Sequence, residues 1–179
     1  MKDLKQFNIP FVGLSEGNHD FTFKIENEFF EFFNFDEFKS VNIDVTLSFL
    51  KKTTLLELVF KAKGTVEVPC DVTTEMYHQK IKAKLPLVVK FGPEFNEDNE
   101  EILILSYDAY QLNVAQYIYE LIVLAVPNKK VHPGVLDGTM ESETLKKLKE
   151  LEIKEENKDI LKKLGADVFT KTKKKESED

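Results

Sequence analysis

The chain has 179 residues, 42% hydrophobic and 32% charged, with 25 Lys and Arg against 32 Asp and Glu for a net charge of −7. That is enough chain for a proper hydrophobic core, and its acidic balance argues against a surface built throughout to clamp nucleic acid, which requires Lys and Arg against phosphates. A single cysteine excludes an internal disulfide framework and fits a reducing, cytoplasmic compartment, and no run approaches the ~20 apolar residues of a membrane-spanning helix.

Residues 1–6 are polar and Pro10 interrupts the short apolar run behind them, so no signal pattern is read at the start. Residues 7–14 alternate through Phe7, Ile9 and Phe11 and predict a first strand broken at Gly13. Gly17 and Asn18 suit a tight connection into a second strand over 19–25, with Phe21, Phe23 and Ile25 inward. Residues 27–33 read as a short helix capped by Asn27, or as an irregular segment, since so many aromatics lower helix propensity. The phenylalanines from Phe29 to Phe35 are expected to plug one end of a sheet rather than to stack a ligand.

Residues 41–50 alternate again, with Val41, Ile43, Val45, Leu47 and Phe49 on one side, and a Lys51-Lys52-Thr53-Thr54 turn follows. The strongest pattern lies over 55–91. Leu56, Leu58, Phe60, Ala62, Gly64, Val66, Val68 and Cys70 occupy even positions. Tyr77, Ile81, Ala83, Leu85, Leu87, Val89 and Phe91 occupy odd ones. Successive side chains of a strand point to opposite faces, so each arm has one apolar and one polar face. The prediction is a long antiparallel hairpin turning at residues 71–76, which with residues 41–50 makes a three-stranded meander. Its outward face carries Lys80, Lys82 and Lys84, joined by His78 and Lys90 and extended by Lys61 and Lys63. This is a candidate basic face for RNA. The competing reading is a solvated face whose lysines discourage edge aggregation, and Glu57 and Glu67 dilute the patch.

Residues 92–101 form an acidic stretch without period and without a calcium-loop spacing, read as a solvated loop. Residues 102–105 are continuously apolar and predict a buried strand. Asn113 caps the clearest helix, in which Val114, Tyr117, Ile118, Leu121, Ile122 and Ala125 follow the i, i+3, i+4 spacing and Pro127 ends the run. That face is expected to cover the sheet and to leave Gln116 and Glu120 outward. A basic loop follows, then short helices over 141–151 and 155–164. Residues 1–165 read as one domain and 166–179 as a disordered charged tail. The expected fold is α+β: a strongly curved or barrel-like antiparallel sheet packed by one main helix, with short C-terminal helices. Leu58, Phe60, Val66, Val68, Leu85, Val89, Ile118 and Leu121 are its expected core.

No catalytic signature is present: no nucleophile elbow, no phosphate-cradling glycine loop, no zinc-protease helix and no dinucleotide fingerprint. The three histidines, His19, His78 and His132, are far apart in the chain. The chain reads as a protein that is not an enzyme and takes no cofactor. Cys70, at the end of an apolar face, reads as a small buried hydrophobe.

The run Gly64-Thr65-Val66-Glu67-Val68-Pro69-Cys70-Asp71-Val72-Thr73 resembles the YceD family, whose members carry a Gly-x-Val strand into a Cys-Asp-x-Cys turn. A second match is Asn113-Val114-Ala115-Gln116-Tyr117-Ile118-Tyr119-Glu120, followed by a Leu-Ala-x-Pro-like close at Leu124-Ala125-Val126-Pro127, and His132 corresponds to a family histidine. The family is named for accumulation of large-subunit ribosomal RNA. The resemblance implies a cytoplasmic ribosome-biogenesis factor whose partners are a ribosomal precursor particle, a ribosomal protein or an assembly factor, with large-subunit rRNA as a further contact. It implies a partner-binding set of Cys70, Asp71, Asn113, Gln116, Glu120, Lys129, Lys130 and His132. In relatives with more cysteines a shared metal would join the hairpin tip to the post-helix loop, so these are expected to adjoin here and to present one polar surface of mixed charge. Thr73 stands where the family has its second cysteine, and Gly134, Val135 and Leu136 follow His132 where another often comes. Cys70 and His132 then supply two of the four ligands that a structural zinc needs, and no metal is expected. The hairpin pattern alone also allows a small β-barrel-like module binding an apolar ligand at its Phe-rich end.

Overall fold

A computed structural model of the chain describes residues 4–93, 96–99, 102–140, 146, 147, 150 and 151. The chain divides into two compact units, one drawn from Met1–Pro69 and Met76–Lys130, the other from Cys70–Glu75 and Val131–Asp179.

The first unit is built on β2 (Gly17–Ile25), β3 (Ser40–Lys51), β4 (Leu55–Pro69), β5 (Met76–Gly92), β6 (Asn96–Asn99) and β7 (Ile102–Ser106), in the order β2-β3-β4-β5-β7-β6. The meander read from the sequence is present: β3 pairs with β4 from Ser40↔Glu67 to Lys51↔Leu56, and β4 with β5 from Leu55↔Lys90 to Pro69↔Met76. The alternation sorts inside from outside as expected. Val41, Ile43, Val45, Leu47, Phe49, Leu56, Leu58, Phe60, Val66, Val68, Val89, Ile118 and Leu121 are buried. Leu85, expected in the core, is half-buried because the space above it is an open groove.

The fold is α+β, with two corrections to the sheet. Among the described residues the strand at one edge, β2, bonds only β3, and the strand at the other, β6, bonds only β7, so the sheet is open and not closed into a barrel. It is also mixed, because β5 and β7 run parallel from Val88↔Ile102 to Gly92↔Ser106. The stretch read as a loop contains β6, which takes the outer position, so the chain returns between β6 and β5 in the direction of β5.

The N-terminal segment departs further. A 3-10 turn, Leu4–Phe7, leads into the two-residue β1 (Asn8–Ile9), which Pro10 ends. It pairs not with β2 but with β8 (Leu112–Asn113), just before the main helix. Gly17 and Asn18 belong to β2 itself and are not a connection between paired strands. The first helix, α1 (Asn27–Glu31), has Glu26 at its N-cap. Asn27 instead bonds across to β3, its Nδ2 donating to the Lys39 carbonyl (2.8 Å) and its Oδ1 accepting from the Val41 N–H (2.8 Å).

The phenylalanines around α1 fill their space with one another. Phe7 meets Phe29 edge-on at 5.0 Å, Phe30 meets Phe38 at 5.1 Å, and Phe33 stacks on Tyr119 at 4.2 Å. Such geometries add to the area they bury. Tyr119 comes from α2 (Ala115–Ala125), which buries Ala115, Ile118, Leu121 and Ile122. The helix ends at Ala125, two residues ahead of Pro127. No helix among the described residues is long and apolar enough to cross a membrane.

In the second unit, α3 (Pro133–Leu136) follows His132. Lys146, Lys147, Glu150 and Leu151 are helical. The rest of the helices expected over 141–151 and 155–164, and the expected tail 166–179, lie outside the described residues.

Candidate functional site

The tip of the β4–β5 hairpin is built around a sulfur. The even-numbered apolar side of β4 runs out at Cys70, which is 1% exposed. The turn closes through Cys70 N–H to Glu75 O (2.8 Å) and Thr74 N–H to Cys70 O (2.8 Å). Thr74 takes φ +61°, an unfavourable conformation for a β-branched residue, and its hydroxyl donates to the Thr73 carbonyl (2.6 Å). Thr73 is 5% exposed and turns inward beside Cys70.

Sequence reasoning expected Cys70 and His132 to adjoin, and they do: the His132 N–H donates to Cys70 Sγ at 3.3 Å across 62 positions of chain. Burial pushes the thiol up. The Thr73 hydroxyl and the backbone N–H groups of His132, Thr73 and Val72 outweigh that and hold it below its ordinary value. His132 Nδ1 accepts from the Gly134 N–H (2.9 Å) and caps α3, which fixes Nδ1 as the unprotonated nitrogen. Gly134 fits there because a Cβ would stand 3.1 Å from both His132 Nδ1 and Met140 Cβ.

This donor set does not suit zinc. A tetrahedral site takes four thiolate, imidazole or carboxylate ligands, and among the described residues no three His, Cys, Asp or Glu side chains converge. The sulfur and Nδ1 are engaged with backbone N–H groups.

The other candidates, Asp71 apart, belong to the first unit. Asn113 is exposed, and its side chain is engaged on both of its polar atoms. Its Oδ1 accepts from Ala115 N–H (2.9 Å) at the start of α2, while Nδ2 donates to Asn8 Oδ1 (2.5 Å) and to Leu4 O (3.3 Å). The backbone N-cap is Val114, so Asn113 caps from one residue earlier than expected and holds the N-terminal segment as well. Gln116 and Glu120 are exposed as expected and bond each other one turn apart (2.6 Å). Lys129 is exposed, whereas the Lys130 side chain is only 22% exposed and lies 3.9 Å from Glu37. Asp71 is exposed on the tip.

Lys80, Lys82 and Lys84 are all exposed on one face of β5, and the register adds what the sequence could not fix. Lys84 stands opposite Lys61 and Lys82 opposite Lys63, while Thr65 faces Lys80. Like charges opposite one another are destabilising, and none of these five lysines has an ion pair among the described residues. Asp44, opposite Lys63 on β3, is the nearest relief in the ladder.

Two features were missed by sequence reasoning. One is a groove of about 590 Å³ between α2 and strands β5 and β7, lined by Leu85, Leu87, Leu103, Tyr117, Leu121 and Leu124, with Lys84, Gln116 and Glu120 at its polar positions. Leu124 is 83% exposed there. It lies off the buried stripe of α2, and that break in the helical pattern was the available signal. The other is Gly64. A Cβ there would come within 2.2 Å of the Asn42 carbonyl oxygen and 2.6 Å of Ile43 Cα, so the glycine of the Gly-x-Val run is where β3 and β4 approach too closely for any side chain.

A sequence model of the YceD family, described as large ribosomal RNA subunit accumulation protein, matches residues 58–166, more than half of the chain. No curated protein and no solved structure matches.

Proposed function

Because the chain belongs to the YceD family, we propose that it is a non-enzymatic, cytoplasmic ribosome-biogenesis factor that supports accumulation of large-subunit ribosomal RNA. It binds a precursor particle through a ribosomal protein, an assembly factor or the rRNA itself. The observation that carries this reading is the reach of the family match, which starts in β4 and takes in the hairpin, α2 and the loop at His132. The family is described by an accumulation role and not by a reaction, which favours binding over catalysis. The net charge of −7 favours protein contacts alongside any RNA contact.

The residues proposed for partner contact are Asp71 and His132 in one unit and Gln116, Glu120 and Lys129 in the other. Lys130 has a lesser part because Glu37 already faces it. Cys70 and Asn113 act by holding their neighbours in place. An apolar-ligand module is not favoured, since the sheet is open and the phenylalanines pack on each other.

Tagged protein drawn from native lysate, with the RNA sequenced and the proteins identified by mass spectrometry, tests the reading. Large-subunit precursor RNA with large-subunit proteins or assembly factors should be enriched over small-subunit material, and Lys129→Glu should lower the yield without changing the melting point. An eluate free of ribosomal components, or one carrying a lipid-like ligand instead, contradicts it.

A further inference from the structure

Strand β5 is paired with β4 from Met76 to Lys90, but on its other flank β7 reaches only residues 88–92. Among the described residues no strand pairs with that flank before Val88. Which backbone groups lie there follows from the ladder. The register from Leu55↔Lys90 to Pro69↔Met76 has no shift, and the next pair, Cys70 and Glu75, is joined by a hydrogen bond. Antiparallel bonding alternates, so odd residues of β5 bond β4 and even residues turn N–H and C=O to the open flank. Pro86, an even residue, sits where its missing N–H breaks no ladder bond. The N–H groups of His78, Lys80, Lys82 and Lys84 therefore point outward with no backbone partner among the described residues. Of the matching carbonyls, that of Lys80 takes a bond from the Gln79 side chain (2.8 Å).

The two faces beside this edge differ in chemistry. On one stand the side chains of Lys80, Lys82 and Lys84, backed by Lys61 and Lys63. On the other the groove opens, floored by Leu85, Leu87 and Leu121 with Leu124 at its rim. We propose that the open edge of β5 is a docking site for an extended acidic polypeptide segment, which adds as a strand, sets carboxylates beside the lysines and places alternate apolar side chains in the groove. Strand addition recognises backbone through the edge and sequence through alternate side chains. A second copy of this chain is the wrong occupant, because antiparallel self-pairing would bring the lysine rows together. The same lysines that repel a copy attract an acidic strand. The inference rests on the assembly-factor reading only for the source of the segment, a protein partner. The edge itself is defined by the ladder.

The experiment uses the full chain and a synthetic ten-residue peptide alternating valine and glutamate, with its valine–lysine counterpart and oligouridylate as comparison probes. Amide exchange and chemical shifts are followed by NMR. The valine–glutamate peptide should slow exchange at Lys80, Lys82 and Lys84 and shift the Leu124 methyls, and its binding should weaken with salt. Lys80→Glu/Lys82→Glu/Lys84→Glu should weaken it about tenfold or more, as loss of complementary charge does. Lys82→Pro, which removes one outward N–H, should weaken it more than Lys82→Gln. A variant that does not fold leaves the wild-type exchange pattern to decide. No binding, shifts away from β5, or equal binding of the valine–lysine peptide overturns the proposal, as does oligouridylate alone protecting these amides, which would make the edge an RNA surface. Failure here with ribosomal material still recovered from lysate removes the docking edge and leaves the family role standing.

Discussion

Along the arms of the β4–β5 hairpin, Leu56 faces Val89, Leu58 faces Leu87, Phe60 faces Leu85 and Ala62 faces Ala83, so the arms are held by a repeated apolar ladder. At the tip there is no ladder to extend. Cys70, Thr73 and the His132 backbone meet around one sulfur, and a strained Thr74 closes the turn. The arms gain stability by area, with each fully buried large side chain worth ~1.5–3 kcal/mol. The tip depends on a few hydrogen bonds whose net worth is about 1 kcal/mol each but whose loss leaves donors stranded. A change in the arms should therefore be felt as lost packing, and a change at the tip as lost partners.

The largest effect belongs to the arms. Phe60 is fully buried at the centre of β4, beneath Tyr117 of α2 at 6.2 Å between rings. Phe60→Ala should cost ~3–5 kcal/mol, read as a lower midpoint in denaturant with an unchanged slope. A loss below about 1 kcal/mol would show that the arms are not held by packing. Gly64→Ala comes next. Its methyl group would be driven into the Asn42 carbonyl, and forced overpacking costs ~1–3 kcal/mol. Thermal unfolding measures it, and a neutral result would mean that β3 yields at Asn42.

The tip is probed by Cys70→Ala against Cys70→Ser. Alanine strands the N–H groups of His132, Thr73 and Val72, at ~1–3 kcal/mol, while serine keeps an acceptor and should recover part of the loss. Equal effects would mean that the sulfur matters only as volume. A smaller effect follows from titration. The folded thiol ionises below its ordinary value, so the folded state favours the thiolate. Stability from this group rises as pH climbs through the folded value, is complete above the unfolded value, and is lost as pH falls back. The difference in melting point between the native chain and Cys70→Ser should grow on the alkaline side across that window, and a flat difference would contradict the assignment.

What the sequence made legible divides along the same line. The arms were readable because a period of two over fifteen or more residues has one physical solution, and that solution fixes which side of β4 and β5 is buried. The neighbour of β5 was not readable, because β7 is as apolar as any buried strand and nothing in five residues states whether it runs parallel or antiparallel. The pairing of β1 with β8 was hidden for the same reason, two residues being too short to show a period. At the tip, the resemblance and not any periodicity suggested that Cys70 and His132 meet, while the part played by Thr73 depends on a side-chain direction that spacing does not encode. The open edge of β5 required the register of its neighbours, which only the assembled sheet supplies.

The most direct test of the account is the ratio of mature large-subunit to small-subunit rRNA in source cells depleted of this chain and then resupplied with it. Depletion should lower the ratio, the wild-type chain should restore it, and Phe60→Ala, expressed at a temperature where it is unfolded, should not. A ratio unmoved by depletion, with the protein shown to be gone, would contradict a role in large-subunit RNA accumulation.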